Sequence, residues 1–435
     1  DLRRNGERHP SRWVIDSALQ LGNSNLDLAF TEDSENWAEF IPSFISGIQN
    51  STFPATVNEH NLAELLSLKQ ETGDVDAHNL GLLSPFEKSR RLTVARESAQ
   101  FTRFDGNLSG VVTPEGVRVD IISATRLEAW AKCPHSYFLR HILGITETTH
   151  PETELRITAL DRGALIHEAA DSFFQELINQ NSPSLTHHNF SDSEFTRMRQ
   201  IGSQAAQDLE DKGLTGRPVF WPRDREAILN DLQKLLKNDT KRSQIGTIIA
   251  SEFKFGEGRP IHRLLPSGKK VSFRGSADRV EQKPDGNLIV IDYKTGKPND
   301  FKGLSQQDPT LRGTKLQLPI YGLAAREIFP NPQTMTDVSY WFTSEAKGKW
   351  KEIGYKITDT LLETFDAVIE TIVTGIESGV FPPRPSNVTS YGEFIDCAYC
   401  DPDGYGTGDL QKQWETKSSA IELIDYLRLV EGNND

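Results

Sequence analysis

The hydrophobic positions along the chain change period several times, and each change marks a change of element. Across residues 162–178, apolar pairs recur every four positions as Leu165/Ile166, Ala169/Ala170, Phe173/Phe174 and Leu177/Ile178. This is the stripe of a helix lying on a core. Residues 194–209 and 225–236 carry the same amphipathic pattern. From Ile248 the period falls to two, with Phe253 and Phe255 alternating with Glu252 and Lys254, which predicts a strand. Two more strands are expected at 271–282 and 288–294. The intervening Lys283-Pro284-Asp285-Gly286-Asn287 has the Pro, Asp and Gly of a short hairpin turn. A helix near 316–328, strands at 338–342 and 352–357 and a long helix over 358–377 follow, until Pro382, Pro383 and Pro385 break the chain. Further upstream, Thr125 and Glu128 have capping-box spacing ahead of Leu127, Trp130 and Ala131, so a helix is expected there, interrupted by Pro134 and resumed over 137–143.

These patterns predict an α/β fold in which a central mixed sheet is flanked by helices, with additional helical regions. At 435 residues the chain exceeds one ordinary core. Residues 1–110 mix short helical patterns with polar stretches, including a loop at 50–55, and carry no recognisable chemistry. Residues 111–410 hold the strong periodicities, and 411–435 read as a C-terminal helix. The chain opens on Asp1 rather than Met, without a recognisable element start, and is read as a piece of something larger.

Hydrophobic residues at 36% and charged residues at 25% describe a folded chain rather than a disordered one. The longest apolar runs, such as 288–291, fall far short of the ~18 residues of a membrane span, and no charged-then-apolar leader opens the chain. A cytoplasmic protein without a membrane partner is expected. The net charge of -14 argues against a protein that coats nucleic acid nonspecifically. Basic stretches at 88–96, 217–225 and 234–242 are read as solvated helix faces. No GxxxxGK[ST] phosphate loop occurs in the sequence, so an ATP-driven motor would have to lie elsewhere.

The chemistry concentrates on the hairpin. Asp278 and Asp292 are equally far from Asp285 in mid-turn, so a symmetric register sets them opposite each other on neighbouring strands. Two carboxylates only ~5 Å apart repel unless a cation lies between them, and oxygen ligands at that spacing suit Mg²⁺ or Mn²⁺. Lys294, two positions after Asp292, points to the same face. A metal that activates water beside a fixed ammonium is the equipment of phosphodiester hydrolysis. An isolated Asp-x-Lys is more often a solvated ion pair. Here Asp292 ends the apolar run 288–291, where an unpartnered carboxylate would cost several kcal/mol, and that placement favours a site.

The segments GSADRV with Asp278, VIDYKTG with Asp292 and Lys294, and QLPIY with Gln317 and Tyr321 resemble the motifs of the RecB-type PD-(D/E)XK nucleases, in order and in spacing. RGALIHEA with His167 resembles that family's helical histidine motif, and SATRLEAWAKCPHSYFLRHILGI is similar to the segment that opens AddB-type nuclease domains. The resemblance spans roughly residues 105–410. It implies a restriction-endonuclease-like core, with Asp278, Asp292 and Lys294 catalytic, His167, Asp278 and Asp292 holding Mg²⁺ or Mn²⁺, and Gln317 with Tyr321 supporting near the DNA. It also implies a helicase partner, in another subunit or in an upstream region of which residues 1–110 would be the end or a linker, and a role in processing DNA ends for recombinational repair. Asp292 stands where many relatives carry Glu, as is usual in the RecB branch. Read alone, His167 borders its helix's apolar stripe and would more often be a structural histidine. Glu252 shares a strand face with Lys254 and is a further candidate to approach the metal, though a charged edge strand explains it about as well.

In AddB-type domains, cysteines placed like Cys133, Cys397 and Cys400 belong to a four-cysteine iron-sulfur staple. Here Gly406 stands where the fourth is expected and the chain has three Cys, so no complete set exists. A staple that has lost its metal is the first reading. A cluster with a non-cysteine ligand and a zinc site completed by Asp or His are the others. Two rival functions remain open: a catalytically inactive scaffold of the same fold that binds DNA or a helicase partner, and a stand-alone nuclease acting on RNA or in genome defence.

Overall fold

The structure is a computed structural model that describes residues 12–20, 41, 43–72, 85–111, 121–146, 154–242, 245–329, 335–346, 349–384, 399 and 408–432. Two compact units divide the chain, one formed by Asp1–Glu97 with Asn387–Phe394 and the other by Ser98–Ser386 with Ile395–Asp435. The described part of the first unit is helical, with helices Arg12–Gln20, Phe44–Asn50, Val57–Thr72 and Pro85–Glu97. The turn before Val57–Thr72 is tied by Glu59, whose Oε2 accepts the Ala55 N–H at 2.7 Å while its own N–H donates to Thr56 Oγ1 at 3.1 Å.

The second unit is built on a mixed sheet of seven strands: β1 (Ile121–Ser123), β2 (Thr247–Phe255), β3 (Ile261–Leu264), β4 (Lys270–Gln282), β5 (Leu288–Lys294), β6 (Thr336–Ala346) and β7 (Lys349–Ile357). The order is β1-β4-β5-β6-β7, with β2 and β3 also pairing along β4. The long β4 is therefore the spine of the sheet. β5 runs antiparallel to β4 and parallel to β6. This is the α/β architecture that the periodicities predict. Its hairpin closes as expected: the Lys283 N–H donates to Asn287 O at 2.8 Å, and Gly286 takes the left-handed φ of 84° that glycine adopts without strain.

β5 separates two apolar layers. Leu288 and Val290 face a layer made by helices Ala124–Lys132, Gln317–Ile328, Asp359–Glu377 and Ile424–Glu431. Ile289, Ile291 and Tyr293 face the other, made by helices Ala159–Asn179, Asp192–Asp211 and Trp221–Asp239. A strand covered on both faces reads as a continuous apolar run. That is why Leu288 to Ile291 alternates so little while still supplying both layers.

Some expectations need correction. Thr125 does not cap its helix; Ser123 does, accepting the Arg126 N–H, and Glu128 turns inward instead. The short β1 and β3 carry too few residues for a period to show. Within the basic stretch 234–242, Arg242 is buried rather than solvated, because its guanidinium donates to Glu281 Oε1 at 2.6 Å. Cys133 joins two helical segments, and its N–H donates to Ala129 O at 3.0 Å. Cys397 and Cys400 lie outside the described residues, as does Pro385.

Under the helical layer that faces Tyr293 runs a buried ionic network. Arg279 on β4 is fully buried and clamps Asp239 with two bonds of 2.7 and 2.9 Å, while its Nε donates to Glu281 Oε1 at 2.8 Å. His188 meets Asp239 through Nδ1 at 2.9 Å and Gly246 O through Nε2 at 2.8 Å. The two carboxylates are balanced by Arg279 and Arg242. Such a network is stable only when complete, because a lone charge left in the core keeps its full desolvation cost. Arg279→Met is expected to cost about 3–5 kcal/mol in chemical denaturation. Breaking the exposed Arg197–Glu176 pair should cost far less. Equal, small losses from both would show that the network does not hold β4 in place.

Candidate active site

Along β4 and β5 the paired register runs from Gln282↔Leu288 to Arg279↔Ile291. The next position brings Asp278 opposite Asp292, and there the backbone ladder gives way to a side chain: the Tyr293 N–H donates to Asp278 Oδ2. Asp278 thus fills a ladder position with a carboxylate, and its other oxygen meets His167 Nδ1 at 2.8 Å. His167 is held by the start of its own helix. Arg162 donates to Thr295 O at 3.4 Å and pairs with Asp231, and at Gly163 a Cβ would already stand 3.3 Å from Thr295 Oγ1. The glycine of RGALIHEA therefore lets the helix approach the end of β5.

Lys294 pairs with Asp292 and donates to Gln317 Oε1 at 2.8 Å, and its ammonium lies 4.9 Å from the centroid of the Tyr340 ring. Gln317 in turn donates from Nε2 to the Tyr321 hydroxyl at 3.3 Å. Both motif side chains point inward, so their visible task is to fix Lys294. Tyr321 is buried, and burial first, then the charges of Asp292 and Asp278, raise its pKa. Its ring needs the bare backbone of Gly275, where a Cβ would come within 3.2 Å of it and 2.9 Å of Phe255.

The electrostatics of the site follow from depth. Asp292 is 3% exposed, and its pKa is pushed up to about 6, mainly by burial; Lys294 opposes the shift and Asp278 adds to it. Burial disfavours the charged ring of His167, but the hydrogen bond and charge of Asp278, aided by Asp292, outweigh it and raise its pKa. Glu252 falls at the place on β2 between the Ser251↔Arg279 and Phe253↔Ala277 pairs, and takes a left-handed φ of 45°. That conformation is strained for a side chain larger than glycine. Burial and the charges of Asp278 and Asp171 raise its carboxyl pKa.

Asp278, Asp292, Lys294, His167, Gln317 and Tyr321 are thus brought together, while Cys133 lies apart on another segment and Cys397 and Cys400 are outside the described residues. The donor set suits a hard divalent cation: two buried carboxylates at one ladder position, one of them held from ionising freely, and an imidazole beside them. A second group, His188, Asp239 and Glu281, is also close enough to hold a cation. There Arg279 and Arg242 already supply the positive charge, so a metal would have to displace two buried guanidiniums. Sequence reasoning missed this network. Its one visible signal is that Arg279 and Glu281 alternate with Asp278 and Val280 on a strand whose opposite faces are both buried.

Two carboxylates opposed where the β4–β5 ladder ends, with a lysine two residues after one of them, are the arrangement of a nuclease-type site. The chain belongs to the PD-(D/E)XK nuclease superfamily, whose family model matches residues 121–403, well over half of its length. It is 27% identical over 195 residues to an ATP-dependent helicase/deoxyribonuclease subunit of Streptococcus pneumoniae serotype 19F (strain G54), a match covering 43% of this chain and 16% of that protein. Proteins of the same name from Clostridium perfringens (strain ATCC 13124 / DSM 756 / JCM 1290 / NCIMB 6125 / NCTC 8237 / Type A) and Clostridioides difficile (strain 630) are 26% and 28% identical. Those matches cover 47% and 46% of this chain and 18% and 17% of theirs. The chain therefore spans less than a fifth of the length of these relatives.

The raised pKa of Asp292 has a cost for stability with a defined sign. A carboxyl whose pKa is higher folded than unfolded takes up a proton on folding, so stability falls as pH rises from the ordinary carboxylate range to about 6 and stays low above it. In protein freed of divalent metal by chelation, Asp292→Asn should raise the melting temperature by several degrees at pH 7.5 and by little at pH 4. A gain of the same size at both pH values would sink this account.

Proposed function

We propose that the chain is a Mg²⁺- or Mn²⁺-dependent deoxyribonuclease that hydrolyses the DNA backbone. We further propose that it is the nuclease part of a helicase-nuclease of the AddB or RecB kind, which processes DNA ends in recombinational repair in the cytoplasm. The observation that carries this reading is the convergence of Asp278, Asp292, His167 and Lys294 at the single ladder position where β4 and β5 part. The likeness to proteins named as helicase/deoxyribonuclease components supports the choice of DNA as substrate and of a helicase as partner. Among the described residues, no helix is long and apolar enough to cross a membrane.

Asp278, Asp292 and His167 would hold the cation, which when bound lowers the pKa of water and stabilises charge on the phosphate. The chain's own part is preorganisation. Tyr321 holds Gln317 and Gln317 holds Lys294, so the ammonium needs little rearrangement to meet an incoming phosphate oxygen or to orient the attacking water. Tyr293, whose N–H is bound by Asp278 and whose ring lies 6.1 Å from the His167 ring, couples the two ligand-bearing elements. Burial excludes bulk water from Asp292 and strengthens each of these interactions.

Asp292→Ala and Lys294→Ala should each lower metal-dependent release of nucleotides from linear DNA by more than about a hundredfold, a loss of at least ~3 kcal/mol of barrier stabilisation. DNA binding should remain near normal in Asp292→Ala and weaken by no more than the share of one phosphate contact in Lys294→Ala. Asp278→Ala should match them, and excess Mn²⁺ should partly restore His167→Ala, which removes one ligand among several. Wild-type protein that binds DNA but digests none with either metal would replace the enzyme by a scaffold of the same fold.

A further inference from the structure

Lys315 lies two residues ahead of Gln317 and takes no part in the contacts described so far. Its ammonium stands 4.0 Å from the centroid of the Phe301 ring. Phe301 packs on Tyr340 with centroids 4.7 Å apart, and Tyr340 carries Lys294 on its ring. The two lysines therefore share one aromatic wall. The segment that presents Lys315 is fixed at both ends. Behind it the Lys315 N–H donates to Thr310 O at 2.8 Å, and ahead of it the Leu316 N–H donates to the buried Glu128 Oε1 at 2.6 Å. Leu311, Arg312 and Gly313 all take left-handed φ values, and a Cβ at Gly313 would come within 3.2 Å of Ala131. The helix that bears Glu128 and Ala131 ends at Lys132, so a third cation belongs to the same corner.

No carboxylate among the described residues lies within ion-pair distance of Lys315. Burial lowers its pKa, and the positive charges of Lys132 and Lys294 lower it further against a weaker pull from Glu128 and Asp300. A half-buried ammonium on a rigid segment, crowded by like charges and seated on an aromatic face, is complementary to an anion that reaches in from solvent.

We propose that Lys315, with Lys132 outside it, holds a backbone phosphate of the nucleic-acid strand next to the one positioned at Lys294. The identity of the anion rests on the nuclease reading; the geometry of the site does not. Lys315 is then a substrate-contacting residue that sets how the strand enters, and the aromatic wall keeps the two bound phosphates in register along it.

The test is binding of a labelled single-stranded oligonucleotide, followed by fluorescence anisotropy over a range of salt concentrations in the presence of EDTA, where nothing consumes the probe. Lys315→Gln should raise Kd roughly tenfold at low salt and reduce the slope of log K against log[salt] by about 0.7, the share of one phosphate contact on a single strand. Lys315→Arg should keep the wild-type slope, and Lys132→Gln should shift both quantities in the same direction by less. If Lys315→Gln binds with wild-type affinity and slope while wild-type protein digests DNA, the inference falls and the nuclease reading stands. If the slope falls as expected but wild-type protein never cuts, the phosphate contact stands and the nuclease reading falls. Wild-type protein that binds no oligonucleotide overturns the inference.

Discussion

Two acidic side chains face each other across β4 and β5 at the point where the hydrogen-bonded ladder between those strands ends. Nearly everything else in the larger unit serves that juxtaposition or follows from it. The hairpin turn sets the register, so one residue more or less between Gln282 and Leu288 would separate the two carboxylates or turn one to the other face. Asp278 completes the ladder with its own oxygen by accepting the Tyr293 N–H, which fixes the carboxylate more firmly than a side chain hanging from a strand end. The burial that holds Asp292 below the surface also makes its charge costly. The charged form of Asp292 is therefore strained, and a cation, as proposed, would relieve it.

Around this centre the two faces of the sheet do different work. On the side of Val290, Asp292 and Lys294, the helix Gln317–Ile328 supplies Gln317 and Tyr321, which hold the lysine in place. On the side of Tyr293 and Arg279, the helices bring in His167 at the site's edge and Asp239 and His188 beneath it. Because Arg279 and Tyr293 are the chain neighbours of Asp278 and Asp292, whatever anchors them on one face orients the carboxylates on the other. The ionic network thus acts as the foundation of the site rather than as a second one, with Arg279 also packed against Phe174 and Trp341.

Much of this was legible in the sequence because period-two strands and a symmetric turn leave little freedom. Equal spacing about Asp285 was enough to set Asp278 opposite Asp292, and the strand period set Lys294 beside Asp292. The spacing of Gln317 and Tyr321 correctly put them on one helical face, but spacing carries no information on whether that face looks out to solvent or in to a neighbouring lysine. The buried network was not legible, because its members come from 188, 239, 242, 279 and 281 and meet only once the helices fold onto β4. A charged residue in an amphipathic pattern ordinarily reads as solvated, and Arg242 shows how tertiary pairing overrides that reading. Ser123 took the cap expected of Thr125 because the helix starts earlier than its apolar residues suggest, which freed Glu128 to hold the Lys315 segment.

In the proposed enzyme the divalent cation sits at the opposed pair at the end of the ladder and not at the buried His188, Asp239 and Glu281 group. Calorimetric titration of Mn²⁺ into the wild-type protein and into Asp278→Asn tests it directly. Saturable binding by the wild type that disappears in Asp278→Asn is the expected result. Binding that persists unchanged in Asp278→Asn would move the cation elsewhere and contradict the account.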